Sequence, residues 1–325
     1  MRFFTGIKPT GPLTLGHYCG IIQHILKLQD KYEIIVMIAD LHALTIPKKQ
    51  LNYQKKVCEI AALLYACGLN EKCKVFVQSQ IKEHLELAWF IAPHISVNEL
   101  KNKGQYKNKI EEKKKNIGNP ALLTYPILMA ADVFLYTEQE GVDLVIVGKD
   151  QKKHCELIVT LAQKFNNFYQ SKLLKLPKFD IPLIGSKIMG LRNPQKKMSK
   201  SENDFLSLLD QPEIVYQKIK RAKTDSENKI SYDPVKKPGI SNLLVIYALL
   251  KNITPYDAEQ EVKIFDYDQF KLKLINLLNE KLASIQKKYD IYLSKINEIL
   301  KENNRYLEIL AKKKMSVIRN KVLMK

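Results

Sequence analysis

One run of five residues, Ile34-Ile35-Val36-Met37-Ile38, sets the tightest limit on what this chain can fold into. It is apolar at every position and mostly β-branched. A strand with one wet face alternates apolar and polar side chains, so an unbroken run predicts a parallel strand covered on both faces. Similar short strand signals stand at Phe3 to Ile7, Lys74 to Gln78 and Leu144 to Val147. Helical patterns separate them. One starts at Thr14, with Tyr18, Ile21, Ile22, Ile25, Leu26 and Leu28 on one stripe. Others cover Asn52 to Cys67 before Gly68, His84 to Ile95, and about Asp150 to Phe165. Strands alternating with helices predict an α/β protein with a Rossmann-like doubly wound parallel sheet. After about Asp204 the strand signals fade, and Lys-rich amphipathic helix follows, including Asn276 to Lys301. The expectation is a Rossmann-type domain over 1–204 and a mainly helical domain over 205–325, with the last helix free to pack back on the first domain.

The chain carries 53 Lys and Arg against 34 Asp and Glu, a formal charge of +19. Such an excess predicts a polyanionic partner, nucleic acid ahead of membrane lipid, although compositional drift in a Lys-, Asn- and Ile-rich chain produces the same bias. Lys101 to Lys115 holds seven lysines and reads as a mobile surface segment. Cys19, Cys58, Cys67, Cys73 and Cys155 form no CxxC pair and read as reduced thiols of a cytoplasmic protein. The N-terminal stretch lacks a long apolar core. The longest apolar run, Leu243 to Leu250, is far too short to span a bilayer.

Two motifs suit phosphate. Thr14-Leu15-Gly16-His17 opens a helix directly after the first strand, where free backbone N–H groups and the helix dipole favour an anion. Gly16 lets a nucleotide approach closely, and His17 offers an N–H to growing negative charge. Lys197-Met198-Ser199-Lys200-Ser201 places lysines on a loop able to cover a triphosphate. Each motif alone also fits a solvated helix start or basic loop; their joint occurrence on either side of one α/β domain favours function. A third feature lies in Leu122 to Asp132. Pro126 suits the first position of a helix, which places Tyr125, Met129 and Asp132 on one face. A carboxylate in apolar surroundings needs a partner, and Asp132 could accept an indole N–H or a phenol O–H. The glycine spacing of Gly185 to Gly190 fails as a P-loop because Leu191-Arg192 follows it, and the histidines show no metal-ligand spacing.

On these residues the chain resembles the class I aminoacyl-tRNA synthetases. Thr14 to His17 is similar to their HIGH-type signature, and Lys197 to Ser201 matches KMSKS letter for letter. Leu122 to Asp132, Ala39 to Thr45, Gln78-Ser79 with Glu83-His84 and Ala88-Trp89, Gly148 to His154, Lys187 to Leu191, Thr224 to Ser226 and Lys237 to Leu244 resemble the tryptophan-specific family of that class. The resemblance implies an enzyme that forms tryptophanyl-adenylate from L-tryptophan and ATP, with Mg²⁺ bound alongside ATP, and then loads tRNA(Trp). It implies a cytoplasmic homodimer without membrane attachment. Phe4, His42, Met129, Val145 and Val147 would wall the indole pocket, Asp132 would accept the indole N–H, and Tyr125 and Gln151 would hold the α-amino or carboxylate group. Lys8, Pro9, Thr10, Gly16, His17, Gly148, Lys149, Asp150, Ile188, Lys197, Met198, Ser199, Lys200 and Ser201 would surround ATP. His17, Lys197, Lys200 and Lys109 would stabilise the transferring charge, and the helical domain would meet tRNA and read its anticodon.

The chain departs from the family at Lys8 and Lys149, which stand for glutamine and glutamate, at His17 for asparagine, and at Ile146 for proline. The stretch Thr137 to Asp143 is longer than usual. A tyrosine-specific synthetase, a small-molecule adenylyltransferase and a noncatalytic RNA-binding paralogue are the rival readings.

Overall fold

The computed structural model describes residues 2–46, 52–103, 118–137, 144–146, 152–180, 188–199 and 203–323. The Ile34–Ile38 run lies in a strand with a parallel neighbour on each side. In chain order the strands are β1 (Arg2–Ile7), β2 (Glu33–Ile38), β3 (Cys73–Val77), β4 (Leu144–Ile146) and β5 (Lys178–Asp180). They form one sheet in the order β3-β2-β1-β4-β5, parallel at every pairing. Along β2 the side chains alternate between two cores. Ile34, Val36 and Ile38 join one cluster with Val75 and Val77; Ile35 and Met37 join the other with Phe4, Phe76 and Val145. That double burial is why the run carries no polar residue.

The helices of the first half are α1 (Leu15–His17), running through a π turn at Tyr18–Ile22 into α2 (Gln23–Leu28), then α3 (Asp40–Ala43), α4 (Tyr53–Ala66), α5 (Glu83–Ile91), α6 (Val97–Lys103), α7 (Pro120–Phe134) and α8 (Lys152–Phe168). Asn52 caps α4 by accepting the N–H of Lys55, and Gly68, at φ +115°, takes the left-handed turn that ends it. Two expectations need correction, and one strand carried no signal. Helix α7 starts at Pro120, with Asn119 accepting the N–H of Leu122; Pro126 lies inside it, where it has no N–H to give the Leu122 carbonyl. Residues 101–103 of the lysine segment belong to α6, and the remainder of it lies outside the described residues. Strand β5 has three residues, too few for a periodic signal.

The second half contains α9 (Pro212–Lys220), α10 (Pro238–Lys251), α11 (Pro255–Val262) and α12 (Tyr267–Leu323). Helix α12 has 57 residues, a rod of roughly 85 Å. Leu274, Leu278, Leu282 and Ile285 enter the first core; Leu307, Ala311, Met315 and Ile318 enter the second. Between these stretches the helix passes the free edge of β3. Asn304 accepts the Val77 N–H at 3.0 Å, and Asn303 donates to the Val75 carbonyl at 2.9 Å. Tyr65, itself bonded to Asn303, donates to the Cys73 carbonyl at 3.0 Å. Three side chains thus seal the edge of the sheet, a place that otherwise invites intermolecular pairing. The double substitution Asn303→Ala and Asn304→Ala strands a buried carbonyl and a buried N–H. It is expected to cost about 2–4 kcal/mol in urea denaturation, with Lys301→Ala, exposed on the same helix, unchanged.

Candidate functional site

The strand order reverses between β1 and β4, which opens a crevice at the carboxyl ends of the strands. Gly6, near the end of the central strand β1, is exposed there, two residues from the buried Phe4 and on the same face. A bare backbone in the middle of a covered sheet marks where another molecule can approach. Lys8, exposed, Pro9, buried, and Thr10, half-buried, follow β1 in the chain.

On one side of the crevice the two phosphate motifs meet. Thr14 caps α1, and His17 Nδ1 receives both the Thr14 N–H at 3.1 Å and the Thr14 hydroxyl at 2.7 Å. A backbone N–H can only donate, so Nδ1 is the acceptor and the neutral ring carries its proton on Nε2. The cap therefore fixes which edge of His17 is a donor. Leu15 N–H bonds to the Leu206 carbonyl at 2.8 Å, and Leu208 N–H to the Leu13 carbonyl at 3.0 Å. These bonds tie the α1 turn to the segment that follows the lysine loop. A Cβ on Gly16 would stand 3.7 Å from Met198 Sδ and 3.9 Å from Ile188 Cβ, so the helix start and the lysine loop touch. The loop is a hairpin: Met198 N–H bonds to the Ile188 carbonyl, Gly190 N–H to the Lys196 carbonyl, and Ser199 and Asp204 exchange two backbone bonds. Lys197 is exposed on it. Asp204 closes its root, its carboxylate accepting the N–H groups of Leu191, Arg192 and Asn193 at 2.9–3.1 Å.

On the other side lies an aromatic pocket built around Asp132, which is 1% exposed. Its carboxylate receives His42 Nε2 at 2.7 Å, His84 Nδ1 at 2.7 Å and Gln78 Nε2 at 2.8 Å. Burial by itself pushes the carboxyl pKa up, but the His42 and His84 rings outweigh it and hold it at about 2. His84 Nε2 meets the Tyr136 hydroxyl at 2.9 Å, and burial, then the Asp132 charge, pushes that hydroxyl well above the usual phenol range. Phe4 stacks on Tyr136 with ring centres 5.8 Å apart and pairs in register with Val145. Met129, half-buried, packs on the same core. His42 meets Tyr125 edge to face at 6.1 Å, the Tyr125 hydroxyl lies 2.7 Å from His154 Nε2, and the Lys8 ammonium stands 5.5 Å over the Tyr125 ring. His42 Nδ1, the other ring nitrogen, is buried with no hydrogen-bond partner among the described residues.

The structure thus gathers Phe4, His42, Tyr125, Met129, Asp132 and Val145 around one buried aromatic cluster, and Gly16, His17, Ile188, Lys197, Met198 and Ser199 along the junction of the α1 start and the lysine hairpin. Lys109, Val147, Gly148, Lys149, Asp150, Gln151, Lys200 and Ser201 lie outside the described residues. Sequence reasoning gave no role to Gly6, Gln78, His84, Tyr136 or Asp204. Gly6, a glycine inside a strand pattern, carried a usable signal. The arrangement can hold a polyphosphate beside an aromatic ligand that carries a hydrogen-bond donor.

Residues 1–283 match the family model described as tRNA synthetases class I (W and Y). A tryptophan–tRNA ligase of Caldanaerobacter subterraneus subsp. tengcongensis is 39% identical over 99% of this chain and 98% of its own length. The structure of tryptophanyl-tRNA synthetase from Mycoplasma pneumoniae aligns with a TM-score of 0.87 at 31% identity, covering 98% of this chain and 97% of that one. The Campylobacter jejuni tryptophanyl-tRNA synthetase complexed with ADP and tryptophan aligns at 0.83 and 27% identity, over 99% of both chains.

Proposed function

The chain belongs to the class I tRNA synthetases of the tryptophan and tyrosine branch, and from that premise we infer that it activates L-tryptophan with ATP and transfers it to tRNA(Trp). The observation that carries the reading is the contact of Gly16 with Ile188 and Met198 beside a pocket that ends on Asp132. A carboxylate oxygen of tryptophan attacks the α-phosphorus, and the bond to pyrophosphate breaks. The carboxylate needs no general base. His17 offers its Nε2–H and Lys197 its ammonium to the departing phosphates, so catalysis is positioning and charge stabilisation. In the second step a 3′-terminal ribose hydroxyl of tRNA attacks the acyl carbon, loses its proton, and AMP leaves.

Phe4, Met129 and Val145 suit the indole faces, and Tyr125 the α-amino or carboxylate end. Asp132 is the acceptor for the indole N–H, with the buried, unpartnered His42 Nδ1 beside it. Among the described residues no group of three or more His, Cys, Asp or Glu side chains could hold a metal ion; Mg²⁺ belongs to the nucleotide substrate, chelated by its phosphates. Lys200, Lys109, Gly148 to Gln151 and Ser201 keep the roles the family resemblance implies. Residues 205–325 are the proposed tRNA-binding part, supported by Lys287, Lys288, Lys295 and Lys301, all exposed on α12. No described helix is long and apolar enough to cross a membrane. The proposal is completed by a cytoplasmic homodimer, for which the exposed Leu85 and Trp89, one turn apart on α5, offer apolar surface.

The deciding experiment is amino-acid-dependent exchange of labelled pyrophosphate into ATP. Tryptophan is expected to support exchange and tyrosine to give only background. Exchange with tyrosine alone would move the chain to the other branch of the family, and exchange with neither would remove the activation reading.

A further inference from the structure

The segment Ile188-Met189-Gly190 is gripped from two sides. The Ile188 carbonyl and the Gly190 N–H face the lysine hairpin, bonding to Met198 and Lys196 at 2.9 and 2.8 Å. Met189 faces the other way, as alternate residues of an extended segment do. There Asn242, a buried residue of α10, takes both of its backbone groups. The side-chain oxygen of Asn242 accepts the Met189 N–H at 2.9 Å, and its amide donates to the Met189 carbonyl at 3.0 Å. One side chain thus fills the place that a neighbouring strand would occupy. A second link starts from the same helix turn. The Lys223 N–H bonds to the Leu191 carbonyl at 2.8 Å. Gly239, at the start of α10, packs so close that a Cβ would lie 2.0 Å from the Lys223 carbonyl oxygen. Two successive parts of the hairpin root, Met189 and Leu191, are therefore referred to the first turns of one helix.

We propose that Asn242 is a positioning residue for amino-acid activation, through which helix α10 of the helical half sets the placement of the Lys197 hairpin over the phosphates. Asn242 bonds to main chain and not to a reacting group, so it acts through Met189 and its antiparallel partner Lys197. A charged group displaced by about 1 Å from its transition-state position loses on the order of 10²-fold in rate. The inference rests on reading the Lys197 hairpin as the phosphate-binding element.

The test is tryptophan-dependent pyrophosphate exchange by the full chain with Asn242→Ala, Asn242→Asp and Lys197→Ala. Asn242→Asp keeps the side-chain shape and the acceptor for Met189 N–H, but sets a carboxylate oxygen against the Met189 carbonyl; it carries the test if the alanine variant does not fold. Both Asn242 variants are expected to lose about 30- to 100-fold in kcat while the KM for tryptophan stays within about twofold, because the aromatic pocket is untouched. Parental kcat in a folded Asn242 variant, or a loss shared equally by the KM for tryptophan, overturns the proposal. With Lys197→Ala inactive, that result overturns the Asn242 role alone. Lys197→Ala at parental kcat overturns the hairpin reading and the proposal with it.

Discussion

Asp132→Ala is expected to destabilise the protein by about 3–5 kcal/mol and to cut tryptophan-dependent exchange on the order of 10³-fold or more. The substitution removes one acceptor and leaves three buried donors, on His42, His84 and Gln78, facing nothing. The cost is therefore that of a broken network, larger than a single hydrogen bond. Asp132→Asn keeps the volume but loses the charge and turns an N–H₂ toward one of the donors, so it falls between parent and alanine. Urea denaturation and exchange kinetics on the three proteins check the order. The pH dependence follows from the depressed pKa. The unfolded carboxyl titrates at its ordinary value of 3.8 and the folded one at about 2. Stability from the ionised form is thus complete above about pH 4 and is lost as pH falls through about 2. In Asp132→Asn that contribution is absent, so the stability gap between parent and variant is expected to narrow across this window. A constant gap down to pH 2 would contradict the assignment.

Gly190→Ala is the second large expectation. A Cβ at Gly190 would stand 2.2 Å from Asp204 Oδ2 and 3.0 Å from the Asn193 carbonyl oxygen. Asp204 cannot yield freely, since its carboxylate is bonded to three successive N–H groups. Its own backbone is paired with Ser199. The methyl must displace that carboxylate and release the hairpin root. Exchange is expected to fall on the order of 10²-fold or more, with a stability loss of about 1–3 kcal/mol. Gly16→Ala is the contrast. Its methyl would meet its nearest neighbours at 3.5–3.9 Å, ordinary contact. It should fold as the parent does, with any loss confined to the KM for ATP. Equal behaviour of the two variants in exchange kinetics and thermal unfolding would sink the argument.

The doubly wound sheet was legible because burial on both faces writes itself into composition: Ile34 to Ile38 has no polar member. Helix α4 was legible at both ends because Asn52 and Gly68 do chemically distinct work there. The nearness of Thr14–His17 to the lysine hairpin lay in two short strings, and the burial of Asp132 in its apolar stretch. What escaped has a common cause. His84 and Gln78 reach Asp132 from positions 48 and 54 residues away along the chain, and Tyr136 joins them only through His84, 52 residues from it. Asp204 coincides with the fading of strand signals, where its carboxylate serves backbone groups 11 to 13 residues earlier. Contacts made to main chain leave no mark on the side chains they serve. Pro126 misled for another reason: a proline is a good helix start, but this one stands in the helix interior, two turns after the start at Pro120.

The sealed edge of β3 has a consequence for synthesis. Val75 leaves the ribosome 228 residues before Asn303, the residue that will cover its carbonyl. At about 5–20 residues per second that interval is roughly 10–45 s. Throughout it the nascent sheet presents an open strand to every neighbouring polypeptide.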